Sequence, residues 1–92
     1  FTREGIINIK NKKWEQDFSP LDPHGTSYVD QFYSKSYVRH LIQSKEILGK
    51  QICSIHNLAF YLWLVTEARK HIIEGDFYNW KNQMVKKVTN RL

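Results

Sequence analysis

The sequence holds one cysteine, one methionine, two prolines and four glycines in 92 residues. A single thiol, Cys53, excludes an internal disulfide framework and any cluster of thiolate metal ligands, and it suits a reducing compartment. The longest apolar run, Leu58 to Val65, is eight residues. A membrane span needs about 20, and a signal peptide needs an N-terminal apolar region behind positive charge. The expectation is therefore a cytoplasmic chain without membrane contact. There is no Gly-rich phosphate loop, no nucleophile elbow, no paired carboxylates and no His-x-x-x-His spacing, so a self-sufficient active site is not expected. The chain opens on Phe1 rather than methionine, which reads as an excised piece or a processed product.

Large apolar side chains are plentiful. Hydrophobic residues make up 41% and aromatic residues 14% of the chain, enough for a packed interior and well away from the composition of disordered segments. The length allows one core. The net charge of +5, from 14 Lys and Arg against 9 Asp and Glu, fits a polyanion partner while staying within the range of an ordinary surface.

The periodicity predicts a mostly α fold. Ile7 and Ile9, with Asn8 and Lys10 between and beyond them, have the spacing of a half-buried strand, so residues 1–14 read as a short β segment. Residues 15–30, with Pro20, Pro23 and Gly25, read as an ordered loop, longer than most connections and so expected to hold something. Residues 31–92 read as three helices. The first carries Tyr33, Tyr37, Leu41, Ile47 and Leu48 and ends at Gly49 as a C-cap. The second is capped by Ser54, buries a stripe of Leu58, Leu62, Val65, Ala68 and Ile72, and ends at Gly75. The third is capped by Asp76, with Phe77, Trp80, Met84, Val88 and Leu92 inward and Lys81, Lys86, Lys87 and Arg91 outward. Short links make the helices antiparallel neighbours in a three-helix cluster behind the strand and loop.

The candidate functional residues each have two readings. His56, expected in the first turn of the central helix, reads foremost as a buried imidazole bonded to a loop group and only secondarily as a metal ligand. His71 reads as a solvated cation near a helix C-terminus. The run Leu58–Val65 is apolar all round, which suits a core rod or a helix covered by a partner. Tyr33, Tyr37 and His40, at i, i+4 and i+7 beside Phe32, form an aromatic ridge that is either core or an interface with another chain. Lys10, Lys12, Lys13, Lys81, Lys86, Lys87 and Arg91 either contact phosphates or are a solvated face.

Several spaced segments then agree at once. Phe1 to Asn11, Pro20-Leu21-Asp22-Pro23, Tyr33-Ser34 with Tyr37, Arg39-His40-Leu41, Glu46-Ile47-Leu48-Gly49, His56-Asn57-Leu58, Phe60-Tyr61 and Glu74-Gly75 with Phe77 resemble the C-terminal part of bacterial tRNA-guanine transglycosylases, the queuine tRNA-ribosyltransferases, over essentially the whole length. The resemblance implies a subdomain appended to a TIM barrel. The parent enzyme would exchange the wobble guanine of GUN-anticodon tRNAs for a 7-deazaguanine through a covalent aspartate link in queuosine biosynthesis. The catalytic aspartates of that family fall outside this chain, which implies a non-catalytic segment that supports a homodimer and borders the tRNA. Tyr33, Tyr37 and His40 become the expected dimer contacts, and the lysines named above the expected phosphate contacts.

One departure stands out. The family carries Cys-x-Cys-x-x-Cys after the Asp-Pro, completing a zinc site with the histidine of His-Asn-Leu. Here those positions are Gly25, Ser27, Asp30 and His56, and without thiolates the tetrahedral structural site is not expected to form. A weaker alternative keeps an ion on His24, Asp30 and His56. The preferred reading is an Asp30–His56 hydrogen bond, filled around by Tyr28 and Phe32, as the clasp between loop and helix. The rival to the whole family reading is a stand-alone helical module that binds nucleic acid or protein.

Overall fold

A computed structural model describes all of residues 1–92. The chain forms a 3-10 turn at Lys12–Trp14 and four α-helices: α1 (Tyr28–Phe32), α2 (Lys35–Gln43), α3 (Ile47–Glu74) and α4 (Phe77–Val88). The mostly helical expectation holds, with one more helix than expected and different boundaries. A 28-residue helix is about 42 Å long at 1.5 Å per residue, and α3 accordingly sets the long axis of a 46 × 21 × 18 Å body.

The expected first helix is broken in two places. Ser34 Oγ accepts from the Tyr37 N–H at 3.1 Å and starts α2 afresh. Lys45 then stops α2. It adopts φ 57°, its N–H reaches the Ile42 carbonyl at 3.1 Å, and the Glu46 N–H reaches Leu41 at 2.9 Å. These paired bonds are the Schellman pattern, which normally recruits glycine at the left-handed position. Gly75 ends α3 in the same way, at φ 84°, with Gly75 and Asp76 N–H groups on Ile72 and His71. Gly49, expected as a cap, is a buried residue inside α3. A Cβ there would lie 3.0 Å from Leu41 Cβ and 3.2 Å from the Ile42 nitrogen, so its role is the close approach of α2 to α3. Ser54 is likewise interior to α3 and caps nothing.

The core is Leu21, Val29, Val38, Leu41 and Ile52, with Ile9, Tyr33, Ile42, Cys53 and Ile55 packed around it. Helix α3 therefore turns Gly49, Ile52, His56 and Phe60 inward. The expected stripe is corrected: Leu58 is 61% and Leu62 57% exposed, and Ile72 is also exposed. Where a helix is apolar all round, periodicity cannot choose the buried face, and the glycine contact with α2 chooses it here. Val65 and Ala68 border the groove where α4 returns along α3, lined from α4 by Phe77, Trp80, Met84 and Val88 as expected.

The expected β segment does not form a strand. Residues 1–14 make only isolated bridges, Thr2 with Gly5 and Ile6 with Arg91. The Ile6 N–H bonds Asn90 at 2.7 Å and the Leu92 N–H bonds Ile6 at 2.9 Å, joining the two ends of the chain. Asn11 Oδ1 then caps the 3-10 turn through the Lys13 N–H at 3.1 Å. The expected loop of residues 15–30 is shorter, because its last three residues, 28–30, begin α1; the rest is stitched by Leu21 N–H to Tyr33, Lys35 N–H to Ser19 and Ser36 N–H to Asp17.

A side chain in the left-handed region costs about 1 kcal/mol relative to glycine. Lys45→Gly is therefore expected to raise stability by about that amount in denaturant unfolding, and an unchanged or lower midpoint would contradict the assignment of Lys45 as the stop.

Candidate functional site

Five of the buried residues are polar: Thr2, Arg3, Asp22, Asp30 and His56. The last four form one connected relay. Asp30, in the first turn of α1, directs Oδ1 to His56 Nδ1 on α3, and its Oδ2 accepts from the Ser27 N–H at 3.1 Å. His56 Nε2 meets the Phe1 carbonyl, so Nε2 carries a hydrogen and donates. One further proton is then held between Nδ1 and the Asp30 carboxyl. The backbone continues the link, since the Asp22 N–H bonds the Asp30 carbonyl at 3.0 Å. Asp22 Oδ2 accepts from Arg3 Nη1 at 3.1 Å and its Oδ1 from the His24 N–H at 3.2 Å. The Arg3 guanidinium lies 3.9 Å from the centre of the Trp63 ring, while its Nη2 is buried without a partner. Asn57 Oδ1 accepts from the Phe1 nitrogen at 3.1 Å, adding a second tie between α3 and the first residues.

The expected Asp30–His56 bond is thus present, with two corrections. Tyr28 and Phe32 do not fill around it, being 69% and 77% exposed. His56 lies well inside α3 rather than in its first turn. The four positions Gly25, Ser27, Asp30 and His56 do converge, but their chemistry does not suit zinc. There is no thiolate among them, both ring nitrogens of His56 face oxygen partners, and both Asp30 oxygens are engaged. The His24 alternative is also not formed. Its side chain is exposed, and the three side chains that bring donor atoms together are His71, Glu74 and Asp76.

His71 is not simply solvated. Its Nδ1 sits 2.7 Å from Asp76 Oδ1 and its ring stacks on Trp80 at 5.0 Å, locking the corner between α3 and α4. The aromatic ridge divides. Tyr33 packs against the core and stacks on Tyr37 at 5.6 Å. Tyr37 and His40 are exposed and share a recess with Phe18, Arg39 and Gln43, in which Phe18 is 77% exposed. The lysines at 10, 12, 13, 81, 86 and 87 are all exposed. Lys10 shares a recess with Lys45 and Lys50, which sequence reasoning did not single out. It also missed Arg3, Asp22 and Trp63 as site residues, because a lone Arg and a loop Asp carry no local signal of burial. Burial pushes the Cys53 thiol above its ordinary value of 9.0, which keeps it protonated and unreactive at neutral pH.

The sequence profile of queuine tRNA-ribosyltransferase matches residues 1–90. The chain belongs to the queuine tRNA-ribosyltransferase family. It is 41% identical over all 92 residues to a queuine tRNA-ribosyltransferase of Aquifex aeolicus strain VF5, covering 24% of that protein. It is 44% identical over 85 residues, or 92% of this chain, to one of Francisella tularensis subsp. novicida strain U112, covering 23% of it. The chain thus spans about a quarter of the length of the curated relatives it matches. No helix of this family member is long and apolar enough to cross a membrane.

Truncating one partner of a buried ion pair leaves the other charge uncompensated, at a cost of about 3–5 kcal/mol. Asp22→Ala should destabilise the protein on that scale in urea unfolding, and Lys12→Ala, an exposed control, by less than about 0.5 kcal/mol. Equal effects would show that the Arg3–Asp22 pair holds nothing together.

Proposed function

We propose that this chain is the C-terminal, non-catalytic part of a cytoplasmic enzyme that exchanges the wobble guanine of GUN-anticodon tRNAs for a 7-deazaguanine, and that it supports dimerisation and tRNA docking. The observation that carries the reading is the unbroken family match from residue 1 to 90. The buried relay fits a structural role. His56 is enclosed, and its Nε2 is taken by a backbone carbonyl, so the Asp–His pair has no nucleophile to activate. The outward apolar residues of α3, Leu58, Tyr61 and Leu62, suit a helix that lies against further protein.

For tRNA docking, the recess lined by Lys10, Lys45 and Lys50 offers a candidate basic surface, with three lysines against the one carboxylate of Glu46 around one hollow. Phosphate contacts of this kind position the RNA and leave sequence readout to the rest of the enzyme. Base exchange on a GUN-anticodon tRNA, followed with labelled guanine, is expected from the protein at its native length and not from these 92 residues alone. Activity of the isolated segment, or none in the native-length protein, would refute the reading. In a tRNA-binding titration at several salt concentrations, Lys10, Lys45 and Lys50 changed together to Gln should reduce the salt dependence, lowering the log–log slope by roughly 2.

For dimerisation, Tyr37 and His40 with the neighbouring Phe18 form the proposed contact, with Tyr33 as its packed base. Tyr37→Ala is expected to weaken self-association by about 2 kcal/mol, because a truncated central aromatic commonly costs that much. An unchanged monomer–dimer equilibrium in sedimentation would remove Tyr37 from the interface.

A further inference from the structure

We infer that the loop of residues 20–30 is closed by the Asp30–His56 pair in place of a metal ion, and that Gly25 commits the loop to this metal-free form. The donor groups argue first. A metal ligand must turn a lone pair toward the ion; neither ring nitrogen of His56 has one free, and each oxygen of Asp30 already holds a donor. Asp30 is 1% exposed and holds the Ser27 N–H with one oxygen and His56 with the other. His56 gives its remaining ring position to the Phe1 carbonyl. Replacing these partners by an ion would take the part-buried Phe1 carbonyl and Ser27 N–H away from their present partners, which costs those hydrogen bonds.

The packing argues independently. A Cβ on Gly25 would stand 2.1 Å from Asp30 Oδ2 and 2.3 Å from Asp30 Cβ, distances at which something must move. The backbone of Gly25 donates to the Asp22 carbonyl at 2.9 Å, and Asp22 in turn donates to the Asp30 carbonyl, so the loop holds Gly25 against Asp30. A ligand side chain at position 25 and the buried carboxylate at position 30 are therefore mutually exclusive along this loop path. Gly25 is required by the Asp–His clasp, and the clasp fills the space an ion and its ligands would share.

The test uses the protein at its native length. Metal analysis after growth with added zinc should find no zinc held by His56, and a chelator should not change the rate at which a protease cuts within residues 20–30. Asp30→Ala should open the loop and raise that rate on the order of 100-fold, since cutting follows the population of the open form. Gly25→Ala, which removes no polar group but forces the Asp30 carboxylate from its position, should raise it as well. Stoichiometric zinc that is lost in His56→Ala would overturn the inference. So would a cutting rate that chelation raises, or one that neither variant changes.

Discussion

Two carboxylates, Asp22 and Asp30, are each 1% exposed, and the structure is arranged around satisfying them. A carboxylate removed from water is tolerable only with charged or hydrogen-bonded partners. Asp22 draws Arg3 from the first residues of the chain, and Asp30 draws His56 from the long helix. The Asp22–Asp30 backbone bond joins the two pairs. Three segments far apart in sequence, the first residues, the loop and the long helix, thereby meet at one place, with Val29 and Leu21 of the apolar core alongside. The apolar contacts supply the non-directional part of the stability, and the polar relay decides which loop path and which face of α3 are used.

That division explains the uneven surface of α3. The first half of the helix is engaged by α1, α2 and the loop, and its C-terminal half by α4, yet Leu58, Tyr61 and Leu62 stay outward. A chain of this length spends its short elements on one side of a 28-residue rod. The chain belongs to the queuine tRNA-ribosyltransferase family and spans about a quarter of the length of the curated relatives it matches.

The legible features were those with local chemistry. Asp76 and Gly75 marked the α3–α4 corner, the α4 face followed from its 3.6-residue period, and the prolines of residues 20–23 marked an ordered loop. The Asp30–His56 pair was visible through the family resemblance, which aligned two residues that no spacing rule connects. What stayed hidden has physical causes. Lys45 occupies a position that usually announces itself as glycine, so the sequence points to Gly49, four residues beyond the α2 stop. Gly49 looked like a cap because close helix approach and a left-handed turn ask for the same residue. The period of Ile7 and Ile9 suggested a strand, but the only backbone paired with Ile6 is the last few residues of the chain, which is too little for a ladder. Arg3 and Trp63 depend on a contact across sixty residues of sequence, beyond any local pattern.

The central claim is that the buried relay, rather than the apolar core alone, fixes the loop against α3. Hydrogen exchange of the Leu21, Asp22, Gly25 and Asp30 amides tests it most directly, comparing the parent protein with His56→Ala. The account predicts that these amides are protected nearly as well as those around Ile52 in the parent, and that the variant loses protection in the loop while α3 keeps its own. Loop amides that exchange as fast as an open chain in the parent, or that stay protected without His56, would contradict it.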